Sequence, residues 1–133
     1  MSKKQNMQEK LLFEYAVIRV VPCVEREEFL NAGVIVFCAA QNFLQAKIEL
    51  REERLNAFSG EQDIAAIQKR LNAFEHIAAG DSNAGPIALL PIASRFRWLT
   101  AARSTVVQTS AVHPGLCEDA AETLMKLYEQ LVG

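Results

Sequence analysis

The stretch FEYAVIRVV, residues Phe13–Val21, is rich in aromatic and β-branched side chains, which favour extended backbone. It is followed by Pro22, whose nitrogen cannot donate a hydrogen bond to a neighbouring strand. Because nearly every position on both faces is apolar, the pattern predicts a central strand that is covered on both sides. Arg19 is conspicuous there, since a charge in such a strand needs a partner or a path to solvent.

Two further segments predict an antiparallel hairpin beside this strand. The run GVIVFCAA, Gly33–Ala40, is apolar throughout and has the length of a strand rather than a helix. Phe43–Leu50 alternates between apolar and polar side chains, which is typical of a strand with one solvated face. Gln41 and Asn42 supply the turn between them. Another strand-like stretch, Ser104–Ser110, follows later in the chain.

Two long helices are indicated by capping boxes and by apolar residues at steps of three and four. The first begins with Ser59 and Gln62 and ends at Gly80. The second begins with Asp119 and Glu122 and carries a wide apolar face to the C-terminus. Shorter helical pieces are predicted over residues 23–32, where Asn31 and Gly33 would end them, and over residues 92–99, and a turn is predicted over 112–115.

Together these patterns predict one α+β domain over residues 1–133, with a flexible N-terminal arm over residues 1–10. A small, mostly antiparallel sheet of three to four strands would pack against two long helices and one or two short ones. The length of 133 residues and the 50% share of hydrophobic residues allow a buried core and argue against disorder. Three widely spaced cysteines, Cys23, Cys38 and Cys117, fit reduced thiols better than disulfides.

Composition also limits the partners. Fourteen Lys+Arg and sixteen Asp+Glu residues give a net charge of -2, so the whole chain has no attraction for nucleic acid or an anionic membrane. The longest apolar stretch is too short to span a bilayer, and no signal-peptide hydrophobic region follows Lys3 and Lys4. We therefore expect a cytoplasmic protein without a membrane partner. Nucleic acid remains an alternative at Arg95–Trp98, where cations and aromatics interleave, but core packing of Phe96 and Trp98 is favoured.

The clearest functional signal is a long segment without acid. No Asp or Glu occurs from Ser82 to Cys117, whereas that segment carries three arginines, Arg95, Arg97 and Arg103. Arginine presents a rigid fork of donors that suits phosphate or carboxylate, and hydroxyl and amide groups can complete such a site. The expected clamps are Arg95 and Arg103, the expected donors are Ser104, Thr105 and Gln108, His113 is a pH-sensitive auxiliary, and Arg19 is a further candidate. The alternative is that the arginines of the acid-free segment pair with acids at Glu25–Glu28, Glu49, Glu52 or Glu53. For Arg19 the alternative is a partner at Glu14, Glu28 or the C-terminal helix.

A catalytic alternative centres on Cys117, which precedes the C-terminal helix and follows His113 by four residues. The helix dipole there favours a thiolate, although Glu118 and Asp119 oppose it. A Ser104–His113 pair is weaker, because no nucleophile elbow surrounds the serine. The cysteines and histidines lack close ligand spacing and the glycines are isolated, so neither a metal nor another cofactor is predicted.

Four stretches, taken together, resemble a known bacterial family. They are YAVIRVVP (Tyr15–Pro22), EFLNAGVIVF (Glu28–Phe37), RFRWLTAARSTVVQ (Arg95–Gln108) and VHPGLC (Val112–Cys117). In combination they are similar to the bacterial domain-of-unknown-function family 3037. The resemblance implies a small bacterial cytosolic protein, often encoded near HipA-like kinases, with no established activity or cofactor. The signature that it implies comprises Arg19, Asn31, Gly33, Arg95, Trp98, Arg103, Ser104, Thr105, Gln108, His113 and Gly115, and it adds Asn31 to the candidate ligand-binding residues.

These observations favour a non-enzymatic binding or accessory module whose acid-free surface accepts an anion. The anion would be a phosphate group, a nucleic-acid backbone or an acidic patch on a protein partner. One alternative is a hydrolase or transferase that uses His113 with Cys117 or Ser104. Another is a structural subunit of a complex with a HipA-like kinase.

Overall fold

The computed structural model describes residues 10–23, 28–59, 64–103 and 105–133. The described chain forms an antiparallel sheet with five strands, and it also contains four α-helices. In chain order these are β1 (Leu11–Cys23), β2 (Glu28–Cys38), β3 (Phe43–Ile48), α1 (Glu52–Ser59), α2 (Ile64–Ala79), α3 (Ile92–Leu99), β4 (Val107–Thr109), β5 (His113–Cys117) and α4 (Ala120–Leu131). The α+β class and the antiparallel sheet are confirmed, with five strands instead of three or four. The predicted arm over residues 1–10 lies, except for Lys10, outside the described residues.

Strand β1 occupies the centre of the sheet, as its two apolar faces predict. One side of β1 pairs with β2, and β3 pairs with the far side of β2. The other side of β1 pairs with β4 near Arg19 and with β5 near Tyr15. The predicted hairpin of Gly33–Ala40 with Phe43–Leu50 is confirmed in β2 and β3, within slightly different bounds.

Side chains of β1 point alternately to the two faces of the sheet and contribute to two separate apolar layers. Ala16, Ile18 and Val20 face a layer that contains residues of α2 and α3, and we call this side of the sheet the α2/α3 face. Phe13 and Tyr15 face a layer built with α4, on the side that we call the α4 face. The sheet is therefore covered on both sides, which is why β1 has few polar positions.

Helices α2, α3 and α4 confirm three of the predicted helices. At the start of α4, the Asp119 half of the predicted capping box is confirmed by a 3.1 Å hydrogen bond that the Glu122 backbone N–H donates to the Asp119 carboxylate. The capping box predicted at Ser59 and Gln62 stays a prediction, because Gln62 lies outside the described residues. Ser59 itself is the last residue of α1, a helix that was not predicted. None of the helices in the described part of the chain is long and apolar enough to cross a membrane.

The predicted helical piece over residues 23–32 is wrong for the part that is described. Residues 28–32 lie in β2, and residues 24–27 lie outside the described chain. Gly33 does not end a helix there. It lies where β2 and β3 approach closely, and a Cβ atom at this position would be 2.6 Å from the Lys47 carbonyl oxygen. The glycine thus permits strand pairing beside a bulge in β2.

The predicted turn over residues 112–115 is also wrong, because most of it lies in strand β5. The sequence His113-Pro114-Gly115 has the composition of a turn, yet it pairs in register with β1. Gly115 lies opposite Phe13, and a Cβ atom on Gly115 would be 2.6 Å from the edge of the Phe13 ring. Proline is tolerated because β5 is a short strand that pairs only with β1 in the described sheet.

A polar cluster joins α4 to the end of β3. The Tyr128 hydroxyl donates a short hydrogen bond to the Glu49 carboxylate, and Arg51 lies 3.4 Å from the same carboxylate. The hydrogen bond from Tyr128 lowers the pKa of Glu49. Burial, together with the Glu49 contact, raises the pKa of Tyr128 to about 12. Glu49, one of the acids considered as a partner for the anion-site arginines, is thus engaged by Arg51 and Tyr128 instead.

Candidate functional site

The structure divides the predicted site residues between the two faces of the sheet. Arg95, Arg103 and Thr105 lie on the side of α2 and α3, whereas the remaining described candidates lie on the α4 face: Arg19, Asn31, Gln108 and His113. Ser104 lies outside the described residues. The eight predicted residues therefore do not form one site.

The residues on the α4 face form a row across the sheet. Arg19 lies directly opposite Asn31 of β2 and Gln108 of β4. The Arg19 guanidinium carbon is 4.2 Å from the centre of the Phe29 ring, a distance typical of a cation–π contact. The Asn31 amide donates to the Leu131 carbonyl at 3.0 Å, near the end of α4. The row is thus built into the junction of the sheet with α4.

His113 lies apart from this row. It is opposite Tyr15, and the two rings are 5.3 Å apart between centres. Four residues of extended strand separate Tyr15 from Arg19, which corresponds to about 13 Å. His113 is therefore not an auxiliary to any of the arginines by direct contact.

Arg95 supports the junction of α2 with α3. One guanidinium nitrogen donates to the Leu90 carbonyl at 2.7 Å, and the other lies 3.5 Å from the Ala78 carbonyl in the last turn of α2. A cation at the carbonyl end of a helix is favoured by the helix dipole. Arg95 therefore fixes the loop that enters α3, a role that neither of the sequence-based alternatives included.

Arg103 closes the end of α3. It donates to the Leu99 carbonyl at 2.9 Å and makes a short hydrogen bond to the Trp98 carbonyl. Its guanidinium carbon also lies 4.5 Å from the centre of the Trp98 ring. These two hydrogen bonds use two of the five N–H groups of a guanidinium. The side chain is thus held in place while donors remain for an anion.

Arg103 stands beside a groove of about 310 Å³ between α2, α3 and the segment that leads into β4. We call it the α2/α3 groove. Most of its lining is apolar, and two guanidinium groups, one indole N–H and one hydroxyl supply the polar part. The lining residues are Arg70, Phe74, Ile77, Trp98, Leu99, Arg103, Thr105 and Val107.

No carboxylate pairs with either arginine of this groove among the described residues. The ion pairs in that part of the chain join Lys10 to Glu118 and Arg51 to Glu49, and Asp81 lies 3.2 Å from His76. Glu25–Glu27 lie in a segment that the structure does not describe. Within the described chain, the positive charges of the groove are thus not neutralised by an internal partner.

Of the eight lining residues, sequence reasoning included only Arg103 and Thr105 in the site, and the most consequential omissions are Arg70 and Trp98. Arg70 precedes Phe74 and Ile77 by four and seven residues, which places the three on one face of α2. That spacing is the signal that could have identified Arg70. Trp98 was interpreted as a core residue, but 42% of it is exposed, whereas its neighbour Phe96 is buried.

The Cys117–His113 pair does not have the geometry of a catalytic dyad. The two residues lie at opposite ends of the extended strand β5, about 13 Å apart along the backbone. Cys117 is buried, and burial raises the pKa of its thiol, which disfavours the nucleophilic thiolate. The described residues hold no cluster of three or more potential metal ligands.

These features define a class: a small α+β protein with a central antiparallel sheet, helices on both faces and a cationic groove on one of them. The family model described as protein of unknown function (DUF3037) matches residues 15–132. The chain belongs to this family, so the resemblance seen in the sequence is confirmed. No curated protein and no solved structure matches the chain.

Proposed function

We propose that this protein is a non-enzymatic binding module that holds an anionic ligand in the α2/α3 groove. The observation that carries the proposal is the pair of guanidinium groups, Arg70 and Arg103, beside an apolar wall with no carboxylate among the described residues that line it. A guanidinium binds phosphate and carboxylate oxygens through charge-assisted hydrogen bonds. Such bonds are stronger beside apolar surface than in open solvent.

The two arginines contribute in different ways. Arg103 is fixed by two carbonyls and the Trp98 ring, so little side-chain freedom is lost when a ligand binds. Arg70 is an exposed residue of α2 that forms no ion pair with a described residue. It is therefore free to move toward the ligand and to add a second charge.

The lining supports binding rather than catalysis. It contains no cysteine, histidine, aspartate or glutamate among the described residues, so it lacks the usual nucleophiles and proton carriers. Its one hydroxyl, that of Thr105, donates to the Val107 carbonyl at 2.7 Å. These residues can hold charge and exclude water, but they offer no route for a proton.

Arg70→Ala and Arg103→Ala are each expected to weaken the binding of inorganic pyrophosphate by about tenfold, because each removes a charge-assisted contact. Isothermal titration calorimetry measures the effect. The affinity of the unchanged protein should also fall between low salt and about 0.2 M salt, since mobile ions screen exposed charges.

The matched control is Arg97→Ala. Arg97 is an exposed arginine of α3 that does not line the groove, so its removal changes the net charge equally without touching the site. Equal weakening by Arg97→Ala and Arg70→Ala would show that pyrophosphate responds to overall charge, which contradicts the proposal. Circular dichroism of Arg103→Ala identifies any loss that comes from unfolding at the end of α3.

A further inference from the structure

We infer that the ligand of the α2/α3 groove consists of an anionic group attached to a small hydrocarbon body, and that this body is an aromatic ring. This inference rests on the proposed function and narrows it to a ligand class, the aryl phosphates and aryl carboxylates. The groove has two unlike parts: guanidinium groups at Arg70 and Arg103, and a wall of aromatic and aliphatic carbon. A ligand that satisfies both parts has to be charged at one end and apolar at the other.

Apart from the two guanidinium groups and the Trp98 indole N–H, which are donors only, the polar groups of the wall are already occupied. The Thr105 hydroxyl donates to the Val107 carbonyl, and the Thr105 carbonyl accepts a 2.8 Å hydrogen bond from the Gln108 amide. No other hydroxyl and no side-chain amide lines the groove among the described residues. A sugar or a nucleobase would bury its hydroxyl or N–H donors there without free acceptors among the described side chains, which is unfavourable. A hydrocarbon body has no such groups to satisfy.

The size and shape of the groove favour a ring. A volume of about 310 Å³ is at the lower end for ligand sites, so a long acyl chain does not fit inside it. Trp98 lines the groove, is partly exposed and is stacked with Arg103. A planar ring beside this pair gains an aromatic contact at the same time as its phosphate reaches the guanidinium.

Trp98 provides the readout, because it is the only tryptophan of the chain. Its fluorescence is followed during titrations with phenyl phosphate and with ribose 5-phosphate, which carries the same anionic group on a body of hydroxyls. We expect phenyl phosphate to bind at least about tenfold more tightly, since its ring buries apolar surface that the sugar lacks.

The two possible failures are distinguishable. Equal affinities for phenyl phosphate and ribose 5-phosphate would overturn this inference and leave the anion-binding function standing. If neither compound bound, and pyrophosphate gave no heat, the proposed function itself would be wrong and the inference would fall with it.

Ile77 supplies the matched variants. Ile77→Thr keeps a β-branched side chain but places a hydroxyl in the apolar wall, so it should reduce the affinity for phenyl phosphate severalfold and leave that for ribose 5-phosphate unchanged. Ile77→Val keeps the wall apolar and should preserve the preference for phenyl phosphate. An unchanged preference in Ile77→Thr, with its fold verified by circular dichroism, would contradict contact between the ring and this wall.

Discussion

Phe96→Ala is expected to lower the free energy of unfolding by about 3–5 kcal/mol, because it removes a fully buried aromatic ring. Phe96 is only 1% exposed and stacks on Phe37 of β2 with ring centres 5.2 Å apart. This contact fixes α3 to the α2/α3 face of the sheet, and with it one side of the groove. Urea denaturation followed by far-ultraviolet circular dichroism measures the change.

The control for this prediction is Trp98→Ala, which removes the other aromatic side chain of the same helix. Trp98 is 42% exposed and stacks with the guanidinium of Arg103, so we expect a loss below about 1 kcal/mol. If Trp98→Ala were as costly as Phe96→Ala, then Trp98 would be a core anchor, as its sequence alone suggested, and it would not be available to a ligand.

Gly33→Ala is expected to destabilise the protein by about 1–3 kcal/mol, as overpacking of a close contact does. The added Cβ would lie 2.6 Å from the Lys47 carbonyl oxygen and 3.1 Å from the Ile48 Cα. Both atoms belong to the backbone of β3, so relief requires that two paired strands move apart. The free energy of unfolding in urea again gives the measurement.

Gly115→Ala is the matched control for this backbone clash. Its added Cβ would meet the ring edge of Phe13, a side chain that can rotate, instead of backbone. We therefore expect a smaller loss than for Gly33→Ala. A larger loss at Gly115, or none at Gly33, would contradict the close pairing of β2 with β3 at Gly33.

The elements with strong periodicity could be predicted from the sequence because each has a face that must be buried. The two apolar faces of β1, the alternation in β3 and the steps of three and four in α2 and α4 each correspond to an observed packing surface. Helix α1 was missed because Glu52–Ser59 is mostly polar, and its buried Leu55 gives no periodic signal alone.

Strand β5 and the start of β2 were misjudged for a different reason. Glycine was interpreted as a residue that turns the chain, whereas Gly33 and Gly115 are needed where another group comes too close for a Cβ atom. Such a contact joins residues far apart in the sequence, Gly33 with Lys47 and Gly115 with Phe13. Local composition does not contain that information.

The candidate site could be predicted only in its chemistry. The acid-free segment directed attention to arginines, and Arg103 with Thr105 does line a groove. The docking of α3 against α2 decides the role of each arginine: Arg103 lines the groove, whereas Arg95 supports the fold. Arg95 hydrogen-bonds to the carbonyls of Leu90 and Ala78, and that arrangement follows from tertiary packing rather than from residue type.

The most direct test of the account is a map of the ligand on the protein by ¹H–¹⁵N NMR during titration with phenyl phosphate. We expect chemical-shift changes at the Trp98 indole, the Arg103 Nε–H and the backbone amides of Thr105 and Val107, all on the α2/α3 groove. Changes confined to the α4 face, around Arg19 and His113, or the absence of any change at millimolar ligand, would contradict the claim that this groove is the binding site.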